Sequence, residues 1–385
     1  MPKRGLNTLA ALLPALVIAS CSTEALPPLQ QASSLPPRTL EKPAVPEEPE
    51  PVPPAGLTDI LYLDHCNLPP GSIFPVAGKG FMVGDYIRME RDEEVYDCET
   101  LVRPERLDVT IPATLESGTW LLRVIRDASE ESFDLGEVPL TVSPDAEPLR
   151  RPHTIAHRGV HHAAPENSVA ALKAAQDLGC YGSETDIWMS SDGELFIYHE
   201  SSIDGIVIRD TPSSVLRERR LSNGEKLPTL RDYLMQAAKK PSCRLILEIK
   251  DHQDVSLNEA CARETVRQVR KAGMQNDVDY ISFSLEACYV VAAEVKSDRT
   301  SVGFLPSTGY DFDSLQEHGV LNLDFYYMHV LEHPDYPALL HRRGMTVGIW
   351  SLAKPEDILH ALTLNLDYIT TDMPEYLEEV CRKLF

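Results

Sequence analysis

The feature that most constrains the fold of this chain is the alternation of short apolar segments with helical segments along residues 151–385. Such alternation favours a parallel sheet that is closed by helices. The strand candidates are 154–157, 182–187, 194–199, 244–250, 279–283, 301–304, 321–325, 345–350 and 366–370. The helix candidates are 168–178, 229–239, 258–272, 285–296, 334–343 and 355–363.

Charged residues gather at the ends of the early strand candidates. His157-Arg158-Gly159, Pro165-Glu166-Asn167-Ser168, Glu184-Thr185-Asp186 and His199 all lie within residues 157–199, and Glu248-Ile249-Lys250 ends a later apolar run. Carboxylates can hold a divalent metal, and an arginine suits a phosphate oxygen. The set therefore indicates metal-assisted phosphodiester hydrolysis.

A predicted hairpin brings part of this set together. Asp192-Gly193 is a strong hairpin-turn signal between two apolar segments. With these two residues as the centre of the turn, His199 lies directly opposite Asp186, with Cβ atoms roughly 5 Å apart. Glu184 lies on the same face as Asp186, because side chains alternate along a strand.

Each of these residues also has an ordinary structural interpretation. Glu184 and Asp186 could be solvated on an exposed strand, and His199 could be a satisfied structural histidine. Glu248 and Lys250 could form an ordinary ion pair at a strand end. Apolar neighbours argue for buried strands, where a charge is rarely left without a partner. The combined set is a stronger signal than any single residue.

In order and spacing, residues 151–385 resemble the glycerophosphodiester phosphodiesterase family. Besides the motifs above, the later matches are Leu227-Pro228-Thr229-Leu230, Gly348-Ile349-Trp350 and Tyr368-Ile369-Thr370-Thr371-Asp372-Met373-Pro374. One departure is Glu200, where the family usually has Asp, and it affects only local hydrogen bonding.

The resemblance implies a TIM-type (β/α)8 barrel, which agrees with the alternation. Nine strand candidates for eight barrel positions mean that one is peripheral, and the Asp192-Gly193 hairpin is the expected place. Asn167-Ser168 forms a good N-cap for the following alanine-rich helix. We expect the site residues at the carboxyl ends of the strands.

We expect Glu184, Asp186 and Glu248 to bind a divalent cation, Ca²⁺ or Mg²⁺, because hard cations prefer oxygen ligands. Arg158 can donate two parallel hydrogen bonds to the substrate phosphate, and Lys250 can contact it as a point charge.

Two histidines are the predicted acid and base, because an imidazole titrates near neutral pH. His157 is assigned as general base and His199 as general acid. Glu166 is either a further metal-site residue or a partner that orients Arg158, and Trp350 is either an apolar wall of the substrate pocket or a core residue. Two routes stay open: direct attack by water, or attack by a substrate hydroxyl that gives a cyclic phosphate.

The amino end predicts a lipoprotein. Lys3 and Arg4 precede the apolar run 9–18, which has the pattern of a secretory signal. Ile18-Ala19-Ser20-Cys21 resembles a bacterial lipobox, with Cys21 as the lipidation site; the alternative is a signal peptide with a coincidental cysteine. Residues 22–57 have the composition of an extended proline-rich tether. These features predict a lipid-anchored location in the bacterial cell envelope, on the periplasmic side or at the outer-membrane surface.

Residues 58–147 are predicted to form a small all-β domain with an immunoglobulin-like sandwich. Apolar runs recur at 59–63, 84–89, 107–111, 119–125 and 137–143. The segment 77–85 resembles IPT/TIG-type modules through one motif. Spacing, packing on the barrel and binding of a surface partner are its possible roles, and spacing is favoured.

A formal net charge of −23 excludes nucleic acid as an expected partner, because nucleic-acid binding needs a basic face. Of the eight cysteines, Cys66 and Cys98 could form a disulfide, whereas Cys180, Cys243, Cys261, Cys288 and Cys381 are expected to be buried in the barrel. The oligomeric state stays open.

Three functions remain: a hydrolase of deacylated glycerophosphodiesters that releases glycerol 3-phosphate and an alcohol, a phospholipase-type phosphodiesterase that acts on intact lipid, and a non-catalytic surface-binding lipoprotein. The first is the leading interpretation, because the complete set of charged motifs argues against a decayed site.

Overall fold

The computed structural model describes residues 56–126, 129, 131–306 and 310–385. The predicted signal segment with Cys21, and nearly all of the predicted tether, lie outside the described residues. The described residues belong to one compact unit, Val52–Phe385. None of its helices has both the length and the apolar character needed to cross a membrane.

Residues 58–142 form nine strands in two sheets. One sheet has the order β1-β3-β7-β6 and the other the order β2-β9-β8-β4-β5. Inward-facing side chains such as Trp120, Leu122 and Ile87 are buried. The strands are β1 Thr58–Tyr62, β2 Cys66–Leu68, β3 Ile73–Lys79, β4 Asp85–Arg91, β5 Glu94–Asp97, β6 Thr100–Arg103, β7 Arg106–Thr110, β8 Gly118–Arg126 and β9 Glu131–Val142.

The suggested Cys66–Cys98 disulfide is wrong, because both thiols are free and buried. Each thiol bonds within its own segment: Cys66 Sγ donates to the Leu63 carbonyl at 3.5 Å, and Cys98 Sγ donates to the Tyr96 carbonyl at 3.8 Å. Burial raises the pKa of each of these thiols to about 12. The burial predicted for the five barrel cysteines is confirmed.

A closed barrel of eight parallel strands follows, with the order β10-β20-β19-β18-β17-β16-β15-β11. Strand β10 pairs with both β20 and β11, so the first and last strands of the barrel meet at one seam. The barrel strands are β10 His153–Ala156, β11 Gly182–Met189, β15 Arg244–Ile249, β16 Val278–Ser282, β17 Val302–Phe304, β18 Asn322–Tyr326, β19 Thr346–Leu352 and β20 Tyr368–Thr371. Outside the barrel lie β12 Leu195–Ile197, β13 Ser202–Ile203 and β14 Ile206–Val207.

All six predicted helices are present, and several begin with capping side chains. The hydroxyl of Ser168 accepts from the backbone of Ala171, and Thr229 with Asp232 forms a capping box. The helices are α1 Val169–Leu178, α2 Ser213–Leu216, α3 Leu230–Ala237, α4 Val255–Lys271, α5 Leu285–Glu294, α6 Phe312–Glu317, α7 Tyr327–Glu332, α8 Tyr336–Arg342, α9 Pro355–Ala361 and α10 Pro374–Leu384. The prediction missed α2, α6, α7 and α10; the first three are too short for a periodic pattern to reveal them.

The peripheral strand is the predicted one, β12, but the predicted hairpin register is wrong by one residue. Ile187 pairs with Ile197, and Met189 pairs with Leu195. The loop has three residues rather than two, because Gly193 adopts a left-handed φ of 88° and its N–H closes a turn onto the Ser190 carbonyl at 3.0 Å. Asp186 therefore faces Tyr198. The backbone N–H of Tyr198 donates to the backbone carbonyl of Asp186 at 3.1 Å.

The connection between the β strands and the barrel is fastened to the amino-terminal end of the barrel. His341 contacts Glu147 of the connection at 2.7 Å and Asp367, directly before β20, at 2.9 Å. The side-chain amide of Asn365 donates to the Glu147 carbonyl at 2.9 Å. The candidate site residues lie at the opposite, carboxyl-terminal end.

Candidate active site

Three adjacent barrel strands, β10, β11 and β15, supply most of the predicted site residues. His157 directly follows β10, Glu184 and Asp186 lie in β11, and Glu248 lies near the end of β15 with Lys250 just beyond it. Because neighbouring parallel strands end at the same edge, these side chains converge on one arc of the barrel mouth.

Glu184, Asp186 and Glu248 form a buried carboxylate cluster in which ligand oxygens lie within 4.8 Å of one another. One oxygen of Glu184, Oε2, accepts from the backbone N–H of Arg158 at 2.9 Å. The other, Oε1, has no hydrogen-bond partner among the described residues. A buried carboxylate oxygen without a partner is costly, so the cluster is suited to receive a cation.

Burial and the closeness of three carboxylates shift the pKa values within the cluster. Burial, together with the neighbouring Asp186 and Glu248, raises the pKa of Glu184 well above its usual value. Burial also raises the pKa of Glu248, against the effect of Lys250. Burial opposes ionisation of Asp186 as well, but Lys250, His199 and Arg158 together hold the pKa of Asp186 below its usual value.

Two cations lie against these carboxylates. Nζ of Lys250 is 2.7 Å from Glu248 Oε1 and 3.1 Å from Asp186 Oδ1. Arg158 donates from one terminal nitrogen to Glu166 Oε2 at 3.0 Å, and its Nε is 3.7 Å from Asp186. Of the two predicted roles of Glu166, this geometry favours the orientation of Arg158.

The turn after His157 depends on a glycine. Arg158 and Gly159 have φ values of 54° and 81°. A Cβ on Gly159 would lie 2.7 Å from backbone and side-chain atoms of Ala171. The close approach of α1 therefore leaves no space for another residue type.

His157 is held by a carboxylate from the last barrel strand. Its Nδ1 lies 2.6 Å from Asp372 Oδ1, and Nε2 of His161 lies 3.0 Å from the same oxygen. Burial alone would raise the pKa of Asp372. The hydrogen bonds from both imidazoles outweigh this effect and hold the pKa of Asp372 below its usual value. The prediction gave neither Asp372 nor His161 a role, because only the fold brings residue 372 beside residue 157.

His199 lies just beyond β12, and its carbonyl accepts from Trp188 Nε1 at 3.2 Å. Its Nδ1 is 3.0 Å from Glu200 Oε1, which is the position where the chain departs from the family. Burial, with Lys250 and Arg158 nearby, lowers the pKa of His199 despite the opposing charge of Asp186. The charge of Asp186 therefore acts on His199, although the two are not strand partners.

Asn167 is a further buried residue that the prediction treated only as part of a cap. Its side-chain amide donates to Asp186 Oδ2 at 2.7 Å, and its carbonyl oxygen accepts from the Thr185 hydroxyl at 2.7 Å. Its φ is 56°. The sequence feature that could have indicated this role is the position of Asn167 in the motif Pro165-Glu166-Asn167-Ser168, directly before the serine that caps α1.

Trp350 lies among aromatic side chains at the barrel mouth. Its ring meets Phe283 edge-on at 5.5 Å and Tyr326 at a tilt of 51° with 5.4 Å between centroids. Its Nε1 donates to the Asp324 carbonyl at 3.2 Å, which fixes the ring. About half of the Tyr326 surface is exposed, so the trio offers an apolar wall.

The residues fit a divalent cation on chemical grounds. Three buried carboxylates, one with an unpartnered oxygen, provide the hard oxygen ligands that such ions prefer. A parallel (β/α)8 barrel with polar side chains gathered at its carboxyl-terminal edge has the arrangement of the barrel enzymes, whose active sites lie at that edge, and its acidic cluster could hold a metal.

Comparisons with known proteins refine that class. Residues 157–376 match the model of the glycerophosphoryl diester phosphodiesterase family, so the chain belongs to this family, whose members depend on divalent metals. It is therefore a phosphoric diester hydrolase.

Individual relatives agree. A glycerophosphodiester phosphodiesterase of Caldanaerobacter subterraneus is 26% identical over 250 residues, covering 60% of this chain and 97% of the relative. The crystal structure of a glycerophosphodiester phosphodiesterase from Parabacteroides distasonis is 33% identical with a TM-score of 0.58, covering 60% of this chain and 97% of that one. A phosphodiesterase of Oleispira antarctica, 21% identical with a TM-score of 0.53 and covering 60% and 97%, shares the fold.

Proposed function

We propose that this protein hydrolyses glycerophosphodiesters to glycerol 3-phosphate and an alcohol with the help of a divalent metal. The observation that carries the proposal is the buried carboxylate cluster, flanked by two cations and two imidazoles at one edge of the barrel. The Oleispira antarctica relative is described in complex with the product sn-glycerol-3-phosphate, which is the product proposed here.

The formal charges of the site suit a phosphodiester. Three carboxylates against Arg158 and Lys250 leave a formal charge of −1 when all are ionised. One divalent cation changes this to +1, which matches the single negative charge of a phosphodiester. Glu184, Asp186 and Glu248 are the proposed ligands, and Ca²⁺ or Mg²⁺ is the proposed ion because all of these ligands are oxygens.

When bound, the ion neutralises phosphate charge and aligns the displacement. Arg158 and Lys250 contact the phosphate oxygens, and Trp350 lines the apolar side of the pocket. The Nδ1–H of His157 donates to Asp372, which leaves the Nε2 lone pair free to accept a proton from the attacking oxygen. The bond from phosphorus to the leaving oxygen breaks as His199 gives that oxygen a proton.

Both routes of attack use the same two imidazoles. In direct hydrolysis the attacking oxygen is that of water. In the alternative the neighbouring glycerol hydroxyl attacks first, gives a cyclic phosphate, and water opens the ring in a second displacement. The two routes differ in the attacking oxygen and in the number of displacements, and a cyclic phosphate forms only in the second.

The finer features of the amino-terminal part belong to the same proposal. Residues 1–21 serve as a lipoprotein signal with Cys21 lipidated, 22–57 as a tether, 58–147 as an immunoglobulin-like IPT/TIG-type spacer, and 151–385 as the catalytic barrel. The protein is then anchored in the cell envelope, and its partners are a small-molecule substrate and a membrane, not nucleic acid.

A second candidate function is supported by exposed apolar side chains beside the site. Tyr326, at the end of β18, belongs to the Trp350 wall, and Met328 follows two residues later in α7; each is about half exposed. Such a lip suits a phospholipase-type enzyme that acts on intact lipid. The third interpretation of the sequence, a non-catalytic surface-binding protein, has no observation in its favour, because the chain belongs to a family of phosphoric diester hydrolases.

Phosphorus NMR tests the two enzymatic candidates. The chain is incubated with glycerophosphoethanolamine, with Ca²⁺ or Mg²⁺ and then with chelator. A metal-dependent glycerol 3-phosphate signal supports the proposal, and a transient cyclic phosphate identifies the second route. An unchanged diester, together with cleavage of an intact phospholipid, favours the phospholipase. No turnover of either contradicts both enzymatic candidates.

Leaving-group dependence tests the roles of the histidines. p-Nitrophenol leaves without a proton donor, whereas ethanolamine needs one. His199→Ala should therefore retain much of its activity on a p-nitrophenyl phosphodiester and lose it on glycerophosphoethanolamine. His157→Ala should lose both activities, by on the order of 10²–10⁴ in rate. The reverse pattern would exchange the two roles.

A further inference from the structure

Besides the carboxylate cluster and the trio His157, His161 and Asp372, a third group of potential metal ligands lies on α7 and at its carboxyl end. One ligand atom each from His329, Glu332 and His333 lies within 4.8 Å of the other two. None of these residues belongs to the site described above. The imidazoles are half-buried and the carboxylate is exposed.

The spacing follows from helix geometry. Residues three and four apart lie on the same face of a helix, so Glu332 and His333 both lie on the same side as His329. His333 ends α7 as its C-cap residue, with φ −132° and ψ 64°. The two imidazole centroids are 4.8 Å apart.

A tyrosine hydroxyl lies against one ring nitrogen of His329. Nε2 of His329 is 2.9 Å from the Tyr310 hydroxyl, which also lies 3.4 Å from the Tyr336 hydroxyl. In the tautomer that carries its proton on Nε2, His329 donates to Tyr310, and Nδ1 keeps the lone pair that a metal needs. A ligating histidine commonly donates its other N–H in this way.

Aromatic packing holds both rings in place. His329 stacks on Phe325 with 5.2 Å between centroids and an interplanar angle of 26°. His333 stacks on Tyr336 at 4.6 Å and 9°. Because both rings are already oriented, little side-chain entropy would be lost when a ligand binds.

We infer that His329, Glu332 and His333 bind a transition-metal ion of the zinc class. Two imidazole nitrogens and one carboxylate oxygen are the donors that Zn²⁺, Co²⁺ and Ni²⁺ prefer over Ca²⁺ and Mg²⁺. Three protein ligands leave a fourth tetrahedral position for water or a small anion. This chain therefore carries a nitrogen-rich metal site in addition to the all-oxygen cluster in the barrel mouth.

Cobalt absorption tests the inference on the full-length chain. Co²⁺ in a tetrahedral site with imidazole ligands absorbs visible light strongly, whereas Co²⁺ in a six-coordinate oxygen site absorbs weakly. Titration should give one equivalent of strong absorption that Zn²⁺ removes. His329→Gln and His333→Ala should each abolish it, and Glu332→Gln should weaken Co²⁺ binding about tenfold or more.

Two controls keep the test specific. His318→Ala removes a histidine that also stacks on a tyrosine, with 4.1 Å to Tyr289, and should leave the absorption unchanged. Glu248→Gln alters the carboxylate cluster and should also leave it unchanged. No strong absorption in the parent chain, or absorption that survives in circular-dichroism-verified His329→Gln and His333→Ala, overturns the inference. If the absorption were lost only in Glu248→Gln, the cobalt would be bound at the carboxylate cluster, and this result would also overturn the inference.

Discussion

The Nδ1 atom of His157 lies 2.6 Å from a carboxylate oxygen of Asp372, 215 residues further along the chain. Such a carboxylate can fix the imidazole tautomer and leave Nε2 as the proton acceptor. Asp372→Asn keeps the shape but lets an amide N–H face Nδ1, which favours the wrong tautomer. We expect kcat on glycerophosphoethanolamine to fall by on the order of 10²–10⁴ with little change in Tm.

The matched control for this variant is Glu375→Gln. Glu375 lies in the first turn of α10, three residues after Asp372, and its exposed carboxylate contacts His162 at 2.9 Å. It should retain parent activity. Parent-like kcat in Asp372→Asn would show that the pair does not act in the reaction.

Glu184→Gln should change stability in opposite directions with and without metal. The folded-state pKa of Glu184 is raised, so this group destabilises the fold as pH rises above the unfolded pKa. In chelator at pH 8 the variant should therefore melt at a higher temperature than the parent, and at pH 4 the difference should vanish.

With Ca²⁺ or Mg²⁺ in excess the order should reverse. The parent gains about 2.7 kcal/mol at one hundred times the dissociation constant, and the variant binds more weakly. Thermal melts with metal and with chelator measure both effects. A variant that melts lower in chelator at pH 8 contradicts the crowding of this cluster.

We expect the stability of the amino-terminal β strands to depend on the buried ion pair between Arg126 and Asp85. Arg126 donates to both oxygens of Asp85, at 3.0 and 2.9 Å, and to the Gly80 carbonyl at 2.8 Å. Asp85→Ala leaves a buried guanidinium without its partner and should cost about 3–5 kcal/mol of unfolding free energy. Denaturation followed by tryptophan fluorescence measures the loss.

The double variant Asp85→Leu with Arg126→Met distinguishes charge from packing. Removal of both charges should recover much of the stability, because neither is left unpaired. A double variant as unstable as Asp85→Ala would assign the cost to packing.

His341 should make stability depend on pH. Its hydrogen bond to Asp367, with that to Glu147, raises its pKa against the effect of burial. A raised pKa contributes stability that is fully present below the unfolded value and is lost as pH rises through the folded one. The Tm difference between the parent and His341→Gln should therefore be large at pH 5.5 and small at pH 8.5. A constant difference would show that the contact is not charge-dependent.

The sequence predicted the barrel better than the details of the site. All nine strand candidates in the barrel region exist, because buried parallel strands read as short apolar runs. The hairpin register could not be predicted, since it depends on the left-handed conformation of Gly193 and the three-residue loop around it.

Contacts between site residues far apart in the sequence were the second feature that the sequence could not predict. The contacts of Asn167 with Asp186, and of Asp372 with His157, depend on helix placement and barrel closure rather than on local pattern. The carboxylates were easier to find, because Glu184 and Asp186 alternate on one strand and Glu248 lies on the strand beside it. That these residues act as metal ligands stays a prediction.

The seam at which β10 meets β20 has a consequence for when the protein can become active. A ribosome makes His157 early and Asp372 only near the end of the barrel, so the imidazole has no carboxylate partner until the final strand docks. During synthesis the unfinished chain already contains the residues of the carboxylate cluster, yet it cannot hold His157 in its final orientation. Completion of the fold and completion of the proton-accepting pair are thus one event.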